Sequence, residues 1–148
     1  MSESRDVDFE IIMRKKLLEL MRGGKKEKKV VSTVPAIVEV KSSQEFGQWL
    51  SRASREGKAV FVDFWAPWCA PCIMLAPIYK RLASKFRDKA LFLKVNVDEV
   101  PELASRYGVF SIPTLLAICN KREIDAVIGY QPERVLEVWI TRVINACS

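Results

Sequence analysis

The stretch DFWAPWCAPC, residues 63–72, contains two of the four cysteines in this 148-residue chain. Cys69 and Cys72 are separated by one alanine and one proline. A pair at this spacing can hold a metal ion, form a structural disulfide or exchange electrons with another disulfide. The sequence on either side of the pair distinguishes these three roles.

The cysteines follow a strand pattern and open a helical one. Residues 59–66, AVFVDFWA, are almost wholly apolar and rich in β-branched and aromatic side chains. This composition predicts a strand buried on both faces, in which Trp65 packs in the core. A helical pattern runs from about Cys69 to Phe86, and Pro77 inside it predicts a kink. Cys69 is therefore expected at the N-terminus of a helix, where partial positive charge and free N–H groups lower the pKa of a thiol.

This position predicts a division of labour between the two thiols. We expect Cys69 to attack a substrate disulfide and Cys72, three residues on and on the same helical face, to resolve the mixed disulfide. Pro71 suits the first turn of a helix, where its missing N–H costs nothing. Asp63, within the apolar strand, is the candidate acid–base group for Cys72, because burial raises the pKa of a carboxyl group. A structural role for Asp63 is the alternative, and the two roles can coexist.

The other cysteines do not complete a metal site. Cys119 and Cys147 stand alone, no second C-x-x-C pair exists, and the chain contains no histidine. We therefore expect no metal. We interpret Cys119 and Cys147 as incidental thiols, and a disulfide between them, within one chain or between two, is the alternative.

The rest of the chain alternates strands and helices. Further strands are predicted over 36–40, 90–98, 114–119 and 123–129, and further helices over 43–57, 100–109 and 132–146. This order predicts an α/β sandwich with a mixed central sheet. The strands at 59–66 and 90–98 are expected to be parallel neighbours at its centre, because a helix joins them.

The N-terminal segment differs in composition from the rest. Residues 14–29 carry eight basic and two acidic side chains, which account for the whole net charge of +6. Residues 8–22 show an apolar stripe at helical spacing, ended by Gly23 and Gly24. We expect a basic helical extension with its linker over 1–34 and one domain over 35–148. Nucleic-acid binding is not expected, since no recognition motif or aromatic platform accompanies the charge.

The compartment follows from what the chain lacks. No apolar run approaches the roughly 18 residues that span a bilayer, and the opening MSESRDVDFE lacks the basic start and apolar core of a secretory signal. We therefore expect a cytoplasmic protein without a membrane span. Cytoplasmic thiols are usually reduced, hyperthermophiles being the exception, so cysteines there favour catalysis over structural disulfides.

The motifs resemble the thioredoxin family. Four segments recur in the family's order and spacing: VDFWAPWCAPC (62–72), KVNVDE (94–99), YGVFSIPTLL (107–116) and GY (129–130). The resemblance covers about residues 36–146. It implies the thioredoxin fold, an α/β fold whose central mixed sheet of about five strands is flanked by helices on both faces.

The resemblance also implies roles for matching residues. Cys69 corresponds to the nucleophile, Cys72 to the resolving thiol and Asp63 to the buried acid–base group, with Lys94 its near neighbour. Pro113 corresponds to the family's cis-proline beside the active-site disulfide.

A binding surface is implied as well. The cis-proline directs the backbone of Ile112 toward the site, where an extended substrate can pair with it. The residues expected to form the apolar rim that receives partners are Ala66, Trp68, Pro71 and Gly129.

The implied function is a cytoplasmic dithiol reductase of protein disulfides that uses the Cys69–Cys72 disulfide instead of a bound cofactor. Thioredoxin reductase would return it to the dithiol form. Two departures are present: Ala-Pro stands where the family most often has Gly-Pro, and Lys121 stands at the family's hairpin glycine. Histidine, which marks oxidising relatives, is absent between the cysteines.

Two other functions remain open. One is a disulfide oxidoreductase that acts in the oxidising or isomerising direction. The other is an adaptor that binds through its basic N-terminal arm. The sequence does not specify an oligomeric state.

Overall fold

The computed structural model describes residues 34–148, so the helix predicted within 8–22 and its linker lie outside the described residues. The described elements are β1 (Ile37–Val40), α1 (Ser43–Glu56), β2 (Ala59–Trp65), α2 (Ala70–Lys85), β3 (Ala90–Asn96), α3 (Pro101–Arg106), β4 (Thr114–Cys119), β5 (Arg122–Ile128) and α4 (Glu133–Cys147). Each element predicted beyond residue 34 is present, with small differences at its ends.

The sheet is mixed, as predicted. Its strand order is β1-β3-β2-β4-β5, which places β2 at the centre. β2 is parallel to β3 and antiparallel to β4, and β1 is parallel to β3. The prediction that residues 59–66 and 90–98 form parallel neighbours is therefore confirmed. Six of the seven β2 residues are buried, because helices cover both faces of the sheet.

Alternation along β2 divides the core into two layers. Phe61 packs with apolar residues of α2 and α4 on one face. Val60, Val62 and Phe64 pack with α1 and α3 on the other. Because side chains alternate along a strand, Asp63 points to the same face as Phe61, the face that α2 covers. The fold thus places one acid beneath the helix that begins at the cysteines.

The turn between β4 and β5 keeps its shape without glycine. Asn120 and Lys121 have φ angles of 53° and 68°, the left-handed pair that a two-residue hairpin turn requires. Asparagine tolerates this conformation well, whereas lysine does so less readily. The hairpin turn therefore forms with lysine at the position where the family has glycine, because Lys121 itself adopts the left-handed conformation.

Cys119 and Cys147 form a disulfide, with their Cα atoms 5.8 Å apart. The interpretation of these residues as incidental thiols is therefore wrong. Cys119 ends β4 and Cys147 ends α4. The last helix packs on the sheet and brings these two ends together, a proximity that residues 28 apart in sequence do not reveal.

None of the helices within residues 34–148 has both the length and the apolar character needed to cross a membrane.

Candidate active site

Cys69 is the N-cap residue of α2, immediately before its first turn. Its Sγ accepts the backbone N–H of Cys72 at 3.2 Å. The two residues are joined as a disulfide, their Cα atoms 5.2 Å apart, and both are at least 95% buried. An N–H directed at sulfur stabilises negative charge there, and the N-terminus of the helix adds to the effect. The geometry therefore favours a thiolate on Cys69 once the disulfide is reduced.

The loop before β4 closes over the disulfide. The peptide bond between Ile112 and Pro113 is cis, as expected. The Ile112 carbonyl oxygen lies 3.7 Å from Cys69 Sγ, and the N–H of Gly129 donates to the Pro113 carbonyl at 2.8 Å. The structure thus brings these four predicted residues together from three separate segments of the chain.

The surface around the disulfide is apolar. Trp68 is 69% exposed, and its Nε1 donates to the Asp98 carboxylate at 2.9 Å, which fixes the indole ring. Pro71 is also exposed, in the first turn of α2. Ala66, by contrast, is fully buried against the two cysteines, so it supports the rim from below instead of forming part of it.

Exposed apolar residues also lie close to the site in sequence. Ile73 and Met74 follow Cys72, and Phe110, 96% exposed, precedes Ile112 by two residues. Nothing in the local sequence predicts that these three residues are exposed. Their exposure is decided by packing, since an apolar residue in a helix or loop is more often buried.

Asp63 is buried within β2, with 1% of its surface exposed. Its Oδ1 has no hydrogen-bond partner among the described residues. Burial raises the pKa of this carboxyl group to about 7; the positive charge of Lys94 opposes the rise and the negative charge of Glu39 adds to it. A carboxyl group with this pKa can exchange a proton near neutral pH.

Lys94 connects Asp63 to a second acid that the sequence analysis missed. Lys94 pairs in register with Asp63 on one side and with Glu39 on the other. The Lys94 Nζ lies 4.4 Å from the centre of the Trp65 ring, and Trp65 Nε1 donates to the Glu39 carboxylate at 3.2 Å. Trp65 therefore contacts two charged residues near the site in addition to packing against apolar ones. Glu39 could be predicted as part of the site only if the pairing of β1 with β3 were known in advance.

Among residues 34–148, no group of three or more aspartate, glutamate or cysteine side chains is placed to hold a metal ion.

The Thioredoxin family model matches residues 36–142, most of the chain and the whole of the site just described. The chain belongs to the thioredoxin family. Its fold and its adjacent cysteine pair accordingly mark it as a thiol–disulfide oxidoreductase. Thioredoxins carry out this exchange with a redox-active disulfide in place of a bound cofactor.

Individual thioredoxins match at substantial identity. The chain is 38% identical over 123 residues to thioredoxin M4, chloroplastic, of Arabidopsis thaliana, a match covering 83% of this chain and 63% of that protein. It is 44% identical over 94 residues to a thioredoxin of Alicyclobacillus acidocaldarius, covering 64% of this chain and 90% of that protein. In structure it is similar to the reduced thioredoxin pre-protein of Schistosoma mansoni, with 34% identity, a TM-score of 0.66 and coverage of 72% of this chain and 97% of the other.

Proposed function

We propose that this thioredoxin-family protein reduces protein disulfides, with Cys69 as the nucleophile and Cys72 as the resolving thiol. The observation that carries the proposal is the N–H of Cys72 directed at Cys69 Sγ at the start of α2. It supports a Cys69 thiolate near neutral pH, and the thiolate is the reactive form of a cysteine.

The reaction proceeds in two exchanges. The Cys69 thiolate attacks one sulfur of the substrate disulfide, so that a Cys69–substrate bond forms and the substrate's own S–S bond breaks. The released substrate sulfur takes up a proton. Cys72, deprotonated, then attacks Cys69 Sγ and frees the second substrate sulfur, which is protonated in turn. Two electrons pass from the dithiol to the substrate, and the Cys69–Cys72 disulfide remains.

Asp63 is the proposed acid–base group for the second exchange. Cys72 is 3% exposed, so its proton needs an acceptor within the protein or reached through water. Asp63 lies on the sheet face that α2 covers, and its carboxyl pKa of about 7 suits it to accept a proton at neutral pH. Lys94, its cross-strand neighbour, stabilises the negative charge that Asp63 carries before it accepts the proton.

Substrate binding is proposed at the apolar surface around the disulfide. An extended segment of the substrate would pair with the backbone of Ile112, whose carbonyl is already within 3.7 Å of the attacking sulfur. Trp68, Pro71, Pro113 and Gly129 would contact the residues that flank the substrate disulfide. The exposure of Trp68 supports this role.

The proposal also includes an electron source, a compartment and the limits of the catalytic domain. We propose a cytoplasmic electron-transfer role in which thioredoxin reductase restores the dithiol. Residues 35–148 would form the catalytic domain, and residues 1–34 a basic extension that the chemistry does not need. The same dithiol could instead act in the oxidising direction, which a redox measurement distinguishes.

The nucleophile is tested by Cys69→Ser. A serine hydroxyl stays protonated at neutral pH, so turnover of a protein disulfide with a chemical dithiol as electron donor should fall by at least about a thousandfold. The matched control removes the other two cysteines together, Cys119→Ser with Cys147→Ser, and should keep the wild-type rate. Substantial turnover by Cys69→Ser would exclude the mechanism.

The direction of electron flow is tested by equilibrating the Cys69–Cys72 couple with glutathione. A reductant is expected at about −270 mV, whereas isomerising and oxidising members lie at about −180 to −120 mV. A potential in the second range would exclude the reductase assignment and support the oxidising alternative.

A further inference from the structure

Three charged residues form a row across the sheet beneath the active site. Glu39 on β1, Lys94 on β3 and Asp63 on β2 occupy paired positions on three adjacent strands. Lys94 therefore lies between two acidic residues, and its positive charge favours the ionised form of both. Neighbouring strands are about 4.8 Å apart, so the two acids are separated by about 10 Å, close enough to interact through the protein interior.

Trp65 holds two members of the row in place. Its Nε1 donates to the Glu39 carboxylate at 3.2 Å, while the Lys94 ammonium lies over its ring at 4.4 Å. The indole is thus fixed to the acid by a hydrogen bond and to the cation by a cation–π contact. Trp65 thus contacts both neighbours of Asp63 in the row.

Other groups near the row do not change its charge balance. On α2, the Tyr79 hydroxyl donates to the Leu93 carbonyl at 2.8 Å, and burial keeps the pKa of Tyr79 well above 10, so it stays neutral. Cys72, at the start of the same helix, is the thiol that Asp63 is proposed to serve. On β4, the residue paired with Asp63 is the apolar Leu115.

Glu39 has two further charged neighbours. Lys41 on its own strand segment favours its ionised form, and Glu99 disfavours it. These two residues form an ion pair with each other at 3.4 Å, and neither is among the charges that shift the pKa of Asp63. Partial burial raises the pKa of the Glu39 carboxyl group, while the hydrogen bond from Trp65 and the positive charge of Lys94 oppose the rise.

We propose that Glu39 is a positioning residue, which together with Trp65 makes Lys94 share its charge between two carboxylates and so sets the pH range in which Asp63 accepts a proton. Its role in catalysis rests on the proposed function of Asp63. The existence of the charge row does not rest on that function, because the titration of Asp63 can be followed directly.

The test is Glu39→Gln. The amide oxygen of glutamine still accepts the Trp65 N–H, so packing is retained while the negative charge is lost. Lys94 then acts on Asp63 alone, and the ionised form of Asp63 becomes easier to reach. The midpoint of Asp63 titration, followed by carboxyl ¹³C NMR, should move to lower pH by about half to one unit. The near-neutral limb of the rate–pH profile should move with it.

Glu45→Gln is the matched control. Glu45 accepts the N–H of Trp49 at the same distance, 3.2 Å, but on α1 and outside the row. Its other carboxylate oxygen accepts the backbone N–H of Lys41 at 2.8 Å, so the substitution removes the same charge while the amide oxygen keeps one of the two hydrogen bonds. The Asp63 midpoint should stay where it is in the wild type.

The outcomes separate the two proposals. An unchanged Asp63 midpoint in Glu39→Gln, or an equal shift in Glu45→Gln, would overturn the role of Glu39 and leave the proposed reaction intact. If Asp63→Asn keeps the wild-type rate–pH profile, the proton-transfer role of Asp63 fails, whereas a shifted NMR midpoint in Glu39→Gln would still establish the charge row.

Discussion

The two disulfides lie at opposite ends of strand β4 and have opposite surroundings. Cys69–Cys72 lies against the loop that precedes the first residue of β4, and Cys119 is the last residue of the strand. Cys69 stands at the N-terminus of a helix, whereas Cys147 stands at the C-terminus of one. Six residues of strand span about 20 Å, too far for direct exchange between the two pairs.

The difference shows how helix polarity selects the reactive disulfide. Both sulfurs lie near a carbonyl oxygen, but Cys69 Sγ also accepts a backbone N–H at 3.2 Å, which stabilises a thiolate. Cys119 Sγ faces the Cys147 carbonyl oxygen at 3.6 Å, at a helix end that carries partial negative charge. A thiolate is disfavoured there. The same covalent bond is therefore suited to exchange at one end of β4 and to a structural role at the other.

The largest effect we expect in unfolding free energy is at the active-site end, from Asp63→Asn. The folded-state pKa of Asp63 is about 7 against 3.8 for the ordinary value, so the folded state binds the proton more tightly. Stability is therefore lost as pH rises from about 4 to 8, on the order of 4 kcal/mol in total. The asparagine amide does not titrate, so the variant should gain stability relative to wild type over this range.

Denaturant unfolding of both proteins at pH values of about 4, 6 and 8, which span this range, measures the gain. A free-energy difference that stays constant with pH would show that Asp63 titrates normally in the folded protein. The two ends of β4 would then not differ in having a buried acid–base group.

The next effect concerns the other end of the strand. Replacing Cys119 and Cys147 by serine removes a cross-link between residues 28 apart. The loop-entropy estimate for this separation is about 3.5 kcal/mol of lost stability. Reduction of a protein disulfide at room temperature should continue at the wild-type rate, because the altered bond is distant from Cys69. A loss of turnover in the folded double variant would show that the two disulfides are coupled.

The smallest effect is expected from removing residues 1–33. The described site lies entirely within residues 35–148, so turnover should stay within about twofold of the full chain. Steady-state reduction of the same protein disulfide by both proteins makes the comparison. A large loss would place a substrate or reductase contact in the N-terminal segment and would favour the adaptor interpretation for that part of the chain.

Much of the fold was predictable because its signals are local. The apolar run at 59–66 predicts a buried central strand, and alternation of strands with helices predicts a layered α/β fold. The chemistry at Cys69 also follows from local sequence, since a strand end followed by a helical pattern locates a helix N-terminus. The residues contributed by distant segments, Ile112 and Pro113, were reached only through family resemblance.

What the sequence could not specify depends on which strands are neighbours. Glu39 reads as an ordinary polar residue of β1 until that strand pairs with β3 and sets it beside Lys94. Cys119 and Cys147 read as single thiols until α4 folds back and brings its last residue to the end of β4.

By itself, the sequence determined the strand–helix order, the helix-start position of Cys69 and the burial of Asp63, because hydrophobic periodicity and capping act over a few residues. The tertiary structure alone decided the charge row under the site and the partner of Cys119. Strand register and helix packing bring together residues that are distant in sequence, and no local pattern in the sequence predicts those contacts.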